Sequence, residues 1–259
     1  MSWGWKRFAA RAIAEASALT GRGRVRPGYR VLLYHAVGSR LARDPYGISI
    51  EPKLFERQME ALARNSQFSV ASFHAPQSSH AQLQVAVTFD DGYRDNLYTA
   101  APILLKFKIP FTVFVTSSFI RSQSDDFLTP AELRELASLP GVTVGSHGAT
   151  HLPLDKCDDS TLWQELYESR CYIEDVTGTT VRAIAYPHGS VTLRVRDAAQ
   201  RAGYVIGGCS RFDINDEDRD PLLLCRCEVV AADSERVFQQ KLRGAWDWYR
   251  LRAKDPAAG

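Results

Sequence analysis

Short apolar runs recur along this chain, and amphipathic helical patterns separate them. The predicted strands are Arg30–His35, Val85–Phe89, Phe111–Val115, Val142–Ser146, Arg182–Tyr186, Tyr204–Gly207 and Leu223–Val230. The predicted helices are Pro52–Arg64, Asp95–Phe107, Pro130–Ala137, Ser160–Val176, Leu193–Ala202 and Ser234–Tyr249. Strands that alternate with helices form a parallel sheet, because each helix carries the chain back to the edge where it started. The pattern therefore predicts an α/β fold, a (β/α) barrel of about seven strands that is distorted or incomplete.

Composition fits one α/β domain of this length. The chain has 259 residues, of which 45% are apolar and 24% are charged, as in an ordinary soluble globular protein. Its 32 Lys and Arg nearly balance its 30 Asp and Glu, so the net charge is only +2. The sequence has no block of like charge long enough to suggest a nucleic-acid surface. We therefore predict no nucleic-acid partner.

Residues 1–22 form a predicted amphipathic helix that precedes the main domain at 23–259. Its apolar face comprises Trp5, Phe8, Ala9, Ala12, Ile13, Ala16 and Leu19, and its polar face comprises Lys6, Arg7, Arg11 and Glu15. Because Arg11 and Glu15 interrupt the apolar run, the segment does not fit a signal peptide. Two interpretations stay open: a helix packed on the domain, or a helix that lies on a membrane surface.

The cysteine pattern predicts a reducing compartment. The five cysteines are an odd number, and none forms a Cys-x-x-Cys pair. With no export signal, we expect free thiols in a cytoplasmic protein, peripheral on the inner membrane if the N-terminal helix binds lipid. Cys225 and Cys227 lie two apart, so they share one face of a strand, where we expect packing and not metal binding.

Two adjacent carboxylates end the second predicted strand, in the stretch VTFDDGY. Adjacent strand residues point to opposite faces, so Asp90 and Asp91 can share a site only where the strand breaks into a loop. Gly92 permits such a break. A solvated Asp-Asp-Gly turn is the alternative interpretation.

A histidine pair follows the fourth predicted strand, in the stretch SHGATH. His147 and His151 lie four apart at the end of the strand, where both imidazoles can reach one ion. Two histidines and one carboxylate form a common hydrolytic metal site, which leaves coordination positions open for water and substrate. The sequence thus predicts a divalent metal site at this edge of the barrel.

A third motif, AYPHG, ends the fifth predicted strand. A turn of this kind can aim a backbone amide at a developing oxyanion, although a plain turn has the same sequence signature. All three motifs follow a strand, at the face where barrel enzymes assemble their active sites.

Together, TFDDGY, HGATH and YPHG resemble the first three motifs of the polysaccharide deacetylase family, the NodB-homology carbohydrate esterases of family 4. The resemblance implies that Asp90 is the general base and that Asp91, His147 and His151 bind the metal. Zinc is the expected ion, with cobalt or nickel as substitutes, because three ligands with open positions select weakly.

The third motif has its own implied role. By resemblance, the backbone amide of His188 polarises the acetyl oxygen, in an oxyanion and substrate-binding turn that includes Tyr186, Pro187 and Gly189.

The chain departs from the family pattern at three positions. The family usually has Ser or Thr where this chain has Gly148, so a hydrogen bond that supports the histidine loop is missing. It often has Arg at the position of Ala185 and Tyr at the position of His188. Without that arginine, Asp90 lacks its usual cationic neighbour, and Arg226 is the candidate replacement.

The general acid is the remaining role. Most of the family takes it from a histidine near the C-terminus, and this chain has no histidine after His188. In the subgroup that deacetylates poly-N-acetylglucosamine biofilm polymers, a Tyr-His pair on the first strand supplies the acid. Tyr34 and His35, in VLLYHAVG, match that arrangement. A histidine that is satisfied by hydrogen bonds in the core is the alternative.

The resemblance implies metal-dependent removal of acetyl groups from N-acetylated, N-acetylglucosamine-type sugars in exopolysaccharide and biofilm biosynthesis. Within the enzyme class, the alternatives are O-deacetylation and deacetylation of a lipid-linked sugar or a peptidoglycan fragment. A carbohydrate-binding protein without turnover is the alternative from another class. A pure binder has no need of Asp90 beside Asp91, which favours the enzyme.

Overall fold

Runs of β-branched, aromatic and small apolar residues form the strands, as their composition predicts. The computed structural model describes residues 12–16, 25–74, 82–252 and 254–258. Its strands are β1 Gly28–Tyr34, β2 Ala36–Val37, β3 Ser49–Ile50, β4 Phe68–Val70, β5 Leu83–Phe89, β6 Phe111–Val115, β7 Val142–Ser146, β8 Ala183–Ala185, β9 Ile206–Gly208 and β10 Arg226–Glu228.

Seven of these strands form the wall of a barrel. Their order is β10-β1-β5-β6-β7-β8-β9, and every neighbouring pair is parallel. A parallel bridge between Gly208 and Leu224 brings the end of β9 beside the segment that leads into β10, so the ring nearly closes. β4 pairs with the first half of β5 and β6 with its second half. The predicted parallel barrel of about seven strands, incomplete at one seam, is confirmed.

Helices surround the barrel. They are α1 Pro52–Arg64, α2 Ala101–Lys106, α3 Ser117–Ser122, α4 Pro130–Ser138, α5 Asp159–Thr177, α6 Leu193–Arg201 and α7 Glu235–Leu242. A π-helical turn, Asn96–Ala100, leads into α2, and short 3-10 turns lie at Leu154–Lys156, Pro187–Gly189, Pro221–Leu223, Asp247–Arg252 and Pro256–Ala258. Pro52 and Pro130 occupy first-turn positions, where the missing N–H costs nothing.

The last predicted helix, Ser234–Tyr249, is too long. α7 ends at Leu242, and the chain turns at Gly244, whose φ is +83°. A Cβ at this glycine would lie 2.7 Å from Oδ2 of Asp247. The carboxylate of Asp247 instead pairs with the buried Arg30 of β1, with N···O distances of 2.9 Å. This tertiary contact overrides the helical pattern.

Side chains alternate between two layers of packing along each strand. One buried cluster contains strand residues and fills the barrel: Tyr29, Val31, Phe73, Ala86, Phe114, Ala183, Ala185, Ile206 and Leu224. A larger cluster packs the outer faces of the strands against the helices, with Leu32, Tyr34, Val87 and Phe89 among its members. Successive residues of a strand point to opposite faces, so the face of a residue near a strand end follows from how many positions separate it from these cluster residues.

The N-terminal segment is helical over residues 12–16. Ala14 is buried against Val237, Ala245 and Trp246, and Glu15 pairs with Arg236 of α7. Ile13, which the prediction placed on the apolar face with Ala12 and Ala16, is 47% exposed. The other residues of that predicted face, Trp5, Phe8, Ala9 and Leu19, lie outside the described residues.

No helix in the described ranges combines the length and the apolar character needed to span a bilayer.

Candidate metal centre and active site

Alternation along the strands sends three chemically active side chains into the mouth of the barrel. The last residues of β1, β5 and β7 face the surrounding helices: Tyr34, Phe89 and Ser146. The next residue after each of them is His35, Asp90 and His147. These side chains therefore point to the interior, and the carboxyl ends of neighbouring parallel strands bring them together.

Arg226 of β10 holds the carboxylate of Asp90 from inside the barrel. Its Nη1 and Nη2 donate to Oδ1 and Oδ2 of Asp90 at 2.6 and 2.8 Å. Its Nε donates to the carbonyl of Cys209 at 3.2 Å, and the side chain is fully buried. A Cβ at position 208 would lie 2.6 Å from Cδ of Arg226, so Gly208 leaves the space that the arginine occupies. The bidentate pair fixes both the place and the orientation of Asp90.

Asp91 reaches the same site because the chain leaves β5 in a left-handed turn. The φ angles of Asp91 and Gly92 are +73° and +82°. A Cβ at Gly92 would lie 2.8 Å from Cγ1 of Val115, so no other residue fits this turn without displacement. β5 therefore ends at the position where a break lets Asp90 and Asp91 face the same site.

Asp91, His147 and His151 form a compact set of metal donors. Oδ1 of Asp91 lies 3.6 Å from Nε2 of His147 and 3.3 Å from Nε2 of His151, and the three donor atoms lie within 4.8 Å of one another. Two ligands of a tetrahedral zinc, each at about 2.0–2.1 Å, are about 3.3 Å apart. Oδ1 of Asp91 is also buried without a hydrogen-bond partner among the described residues. Both observations fit a bound cation.

A hydrogen bond sets the tautomer of His147. Its Nδ1 lies 2.8 Å from the carbonyl oxygen of Ala185, which can only accept, so Nδ1 carries the proton. The lone pair of Nε2 is then free and faces Asp91. Metal-binding histidines are usually oriented in this way, through the ring nitrogen that does not bind the metal.

The charges of the site act on one another. Burial would raise the pKa of Asp90, but Arg226, followed by His147, lowers that pKa well below its ordinary value. Burial would also raise the pKa of Asp91, but the neighbouring imidazoles of His151 and His147 lower it. Both carboxylates are therefore ionised at neutral pH.

The two histidines differ in their preferred protonation state. Burial lowers the pKa of His147, and Asp90 and Asp91 offset this only in part. For His151, the opposing contact with Asp91 outweighs burial, so its pKa is raised. The lowered pKa of His147 favours the neutral form that binds metal, whereas the raised pKa of His151 makes a proton compete more strongly with a metal for this ring.

Backbone strain concentrates at this site. Five described residues other than glycine have a positive φ, and three of them belong to the three motifs: Asp91, His151 and His188. A left-handed conformation costs about 1–2 kcal/mol for a residue with a Cβ. Strain of this kind persists where surrounding contacts hold a functional geometry.

The AYPHG turn lies beside His151. His188 has a φ of +59°, and its exposed imidazole donates from Nε2 to the carbonyl of His151 at 3.2 Å. Gly189 has a φ of +66°, and a Cβ there would lie 2.7 Å from Cβ of Ser210. Pro187 is buried at the start of the turn. The backbone of the turn therefore borders the metal donors.

The side chain of Tyr186 lies elsewhere, contrary to its predicted place in the substrate-binding turn. Ala185 faces the barrel interior, so Tyr186 faces the helices, where it is fully buried. Its hydroxyl donates to the carbonyl of Leu222 at 2.9 Å. Tyr186 contributes packing and leaves only its backbone to the turn.

His35 is half-buried at the end of β1. Its Nδ1 is buried and has no hydrogen-bond partner among the described residues. Tyr34 of β1 is paired with Phe89 of β5, so the next residues, His35 and Asp90, lie side by side at the mouth of the barrel. His35 also contributes to lowering the pKa of both Asp90 and Asp91. His74, by contrast, stacks on Tyr29 at the other end of the strand, with ring centroids 4.9 Å apart. His80 lies outside the described residues.

Sequence reasoning missed two anchors of the His35 loop, Asp95 and Asn96. Asn96 donates from Nδ2 to the carbonyl of His35 at 2.9 Å and to Oδ1 of Asp95 at 3.0 Å. Oδ2 of Asp95 accepts from the backbone amides of Val37 and Ser39 at 2.8 and 3.0 Å. The signal was present in TFDDGYRDN, where polar residues continue for one turn beyond the paired carboxylates.

Sequence reasoning also missed Glu165 of α5, which contacts the loop between His147 and His151. The signal was an acidic residue in the buried stripe of that helix, between Leu162 and Leu166.

Comparisons with known proteins agree on one family. A family model described as polysaccharide deacetylase matches residues 77–207. The chain is 26% identical over 213 residues to "Putative polysaccharide deacetylase YxkH" of Bacillus subtilis (strain 168), covering 80% of this chain and 74% of that protein.

Solved structures share the fold. The deacetylase PplD of Streptococcus pyogenes, solved in complex with acetate, matches with a TM-score of 0.72 and 22% identity, over 83% of this chain and 98% of that one. A de-N-acetylase from Aggregatibacter actinomycetemcomitans matches with a TM-score of 0.70 and 18% identity, over 82% of this chain and 99% of that one.

Proposed function

The chain belongs to the polysaccharide deacetylase family, and we propose that it removes acetyl groups from N-acetylglucosamine-type sugars of an exopolysaccharide by metal-dependent hydrolysis of the amide. One observation carries the proposal. Asp90, kept ionised by Arg226, lies next to the donor set of Asp91, His147 and His151. A carbohydrate-binding protein has no use for an unprotonated, arginine-clamped carboxylate beside a metal site.

Asp91, His147 and His151 would hold the metal, and the donor set favours zinc. When bound, such an ion supplies Lewis acidity to the water and to the acetyl group. Every other step falls to side chains and amides of this chain.

Asp90 takes the proton from the attacking water. Its lowered pKa keeps it ionised, but the same shift makes it a weaker proton acceptor. Its contribution is therefore mainly geometric, because the two hydrogen bonds from Arg226 hold one carboxylate face in place. The backbone amide of His188 donates to the oxygen that becomes negative as the acetyl carbon turns tetrahedral.

His35 gives a proton to the departing nitrogen. An amide cannot expel an amine anion, so cleavage of the C–N bond requires this proton. General acid catalysis of this kind contributes about 10²–10⁴-fold in rate. The unpaired Nδ1 and the closeness of His35 to both carboxylates support the assignment.

The test is acetate release from N-acetylated oligosaccharides, O-acetylated sugars, lipid-linked sugars and peptidoglycan fragments, after chelation and after zinc is restored. We expect zinc-dependent release from N-acetylglucosamine oligomers. Asp91→Ala should lose zinc and activity together, whereas Asp90→Asn should keep zinc and lose about 10²-fold or more in turnover.

Activity that survives complete chelation, or zinc bound as tightly by Asp91→Ala as by the wild type, would refute the metal assignment. Release from O-acetylated sugars alone would identify an O-deacetylase.

A further inference from the structure

The backbone between the two histidine ligands is clamped from both sides. On one side, the carbonyls of Gly148 and Ala149 accept from the amides of Ser117 and Ser118, at the start of α3, at 3.2 and 2.8 Å. On the other side lies a single carboxylate, that of Glu165. The loop is therefore held by the N-terminus of one helix and the side chain of another.

Glu165 accepts hydrogen bonds from the N–H and O–H groups of the histidine loop that face α5. Its Oε2 accepts from the amides of Ala149 and Thr150 at 2.8 and 2.9 Å, and its Oε1 accepts from the same Thr150 amide at 3.1 Å. The hydroxyl of Thr150 donates to Oε1 as well. A carboxylate offers only acceptors, so it matches the side of the loop that faces α5, where the contacting groups are donors.

The burial of Glu165 needs an explanation other than packing. Glu165 is 3% exposed, and no Lys or Arg in the described part of the chain forms an ion pair with its carboxylate. Burying an unpaired carboxylate is costly unless hydrogen bonds compensate for the lost water. Here the compensation comes from the loop alone, so the carboxylate and the loop conformation depend on each other.

Glu165 also accounts for Gly148, which stands where the family usually has Ser or Thr. Gly148 has a φ of +77°, and a Cβ there would lie 3.0 Å from Oε2 of Glu165 and 3.3 Å from Cγ of Pro187. A side chain at position 148 would press against this carboxylate. The hydrogen bonds that such a side chain would supply come from α5 instead.

We propose that Glu165 is a positioning residue of the metal site. Its carboxylate holds the loop of residues 148–150, so that His147 and His151 present their Nε2 atoms to Asp91 before a metal binds. The proposal rests on the proposed metal-dependent function. It predicts that loss of the carboxylate weakens metal binding by about 10–100-fold, the usual effect of removing a group that orients metal ligands.

The experiment compares zinc affinity and loop protection in Glu165→Ala, Glu165→Gln and two controls. Zinc affinity is measured on metal-free protein by competition with a chelator, and amide hydrogen exchange over residues 147–151 is measured by mass spectrometry. Glu168→Gln, exposed on the same helix, controls for the charge. Leu166→Ala, fully buried on the same helix and without a side-chain group that could hydrogen-bond to the loop, controls for lost stability.

We expect both controls to keep the zinc affinity of the wild type. Glu165→Ala should lose about 10–100-fold, and Glu165→Gln should lose less, because the amide of glutamine keeps one acceptor. In both variants the amides of Ala149 and Thr150 should exchange about tenfold faster in the metal-free protein. Glu165→Gln preserves the volume of the side chain and serves if Glu165→Ala does not fold.

Zinc affinity of a folded Glu165 variant within about twofold of the wild type would overturn the proposal, as would an affinity loss in Leu166→Ala as large as in Glu165→Ala. If the wild type binds no zinc, the proposed function fails, and hydrogen exchange of the metal-free loop alone decides the role of Glu165.

Discussion

Arg226 binds and orients Asp90 although the two residues are far apart in the sequence. It lies 136 positions from Asp90 in sequence and shares two hydrogen bonds with it. A buried ion pair adds little net stability, because desolvation offsets the attraction, but breaking one costs about 3–5 kcal/mol. The pair is therefore better explained by the ionised, oriented carboxylate that it maintains than by stability.

At the residue scale, replacing His35 separates its proposed role from packing. His35→Ala should bind zinc like the wild type and lose about 10²-fold or more in turnover on an N-acetyl substrate. The loss should be smaller on an acetyl ester with a good leaving group, because an electron-poor phenoxide needs little protonation to depart. Steady-state kinetics on both substrates measure the difference.

His74→Ala is the matched control, since that side chain stacks on Tyr29 at the opposite end of β1. It should leave the ratio of the two activities unchanged. Equal losses on both substrates in His35→Ala would assign the proton to another group, and His188 would be the first to test.

At the scale of elements, the segment after β5 does more than carry the proposed base and one proposed metal ligand. Within it, Asn96 holds the carbonyl of His35, and Asp95 holds the amides of Val37 and Ser39. The loops after β1 and β5 are thereby tied together at the mouth of the barrel. The π-helical turn Asn96–Ala100 begins at one of these two anchors.

Asn96→Ala should reduce turnover on the N-acetyl substrate by about tenfold, because His35 loses its backbone anchor while its imidazole remains. The carbonyl of His35 and Oδ1 of Asp95 lose a donor, so we also expect about 1–3 kcal/mol lower stability. Denaturant unfolding and kinetics measure the two effects. Asn65→Ala, at the C-terminal end of α1, is the control.

A double-mutant cycle with His35→Ala makes this prediction specific. If Asn96 acts through His35, the double variant should have the activity of His35→Ala alone. Additive losses would show that Asn96 supports some other part of the site.

At the scale of the whole molecule, residues 14 and 15 of the N-terminal segment contact α7 and the turn that follows it. Ala14 packs on the domain, while Ile13 is exposed. We propose that the segment guides a cytoplasmic enzyme to the inner membrane face, where its basic residues would attract anionic lipid.

Removal of residues 1–20 should leave activity on a soluble N-acetylated oligosaccharide unchanged and reduce co-sedimentation with anionic vesicles. Vesicles of neutral lipid provide the control, because attraction to basic residues requires anionic headgroups. A truncated protein that is insoluble or unfolded would show that the segment belongs to the core.

The sequence alone determined the parallel barrel, most helix positions and the three motifs at strand ends. These are local properties: periodicity separates strand from helix, and the end of an apolar run marks where a side chain reaches the mouth. Alternation could also have excluded the side chain of Tyr186 from the site, because it follows the inward-facing Ala185. The helix over Ser234–Tyr249 was overpredicted because local periodicity contains no information about the contact between Asp247 and Arg30.

Only the tertiary structure decided which distant residues meet. Strand order and register place β10 beside β1 and β1 beside β5, with Val31 opposite both Arg226 and Ala86, and so bring Arg226 to Asp90. The packing of α5 on the barrel brings Glu165 to the histidine loop. Such contacts depend on the closure of the whole barrel, because a shift of one residue in register would turn Arg226 to the opposite face.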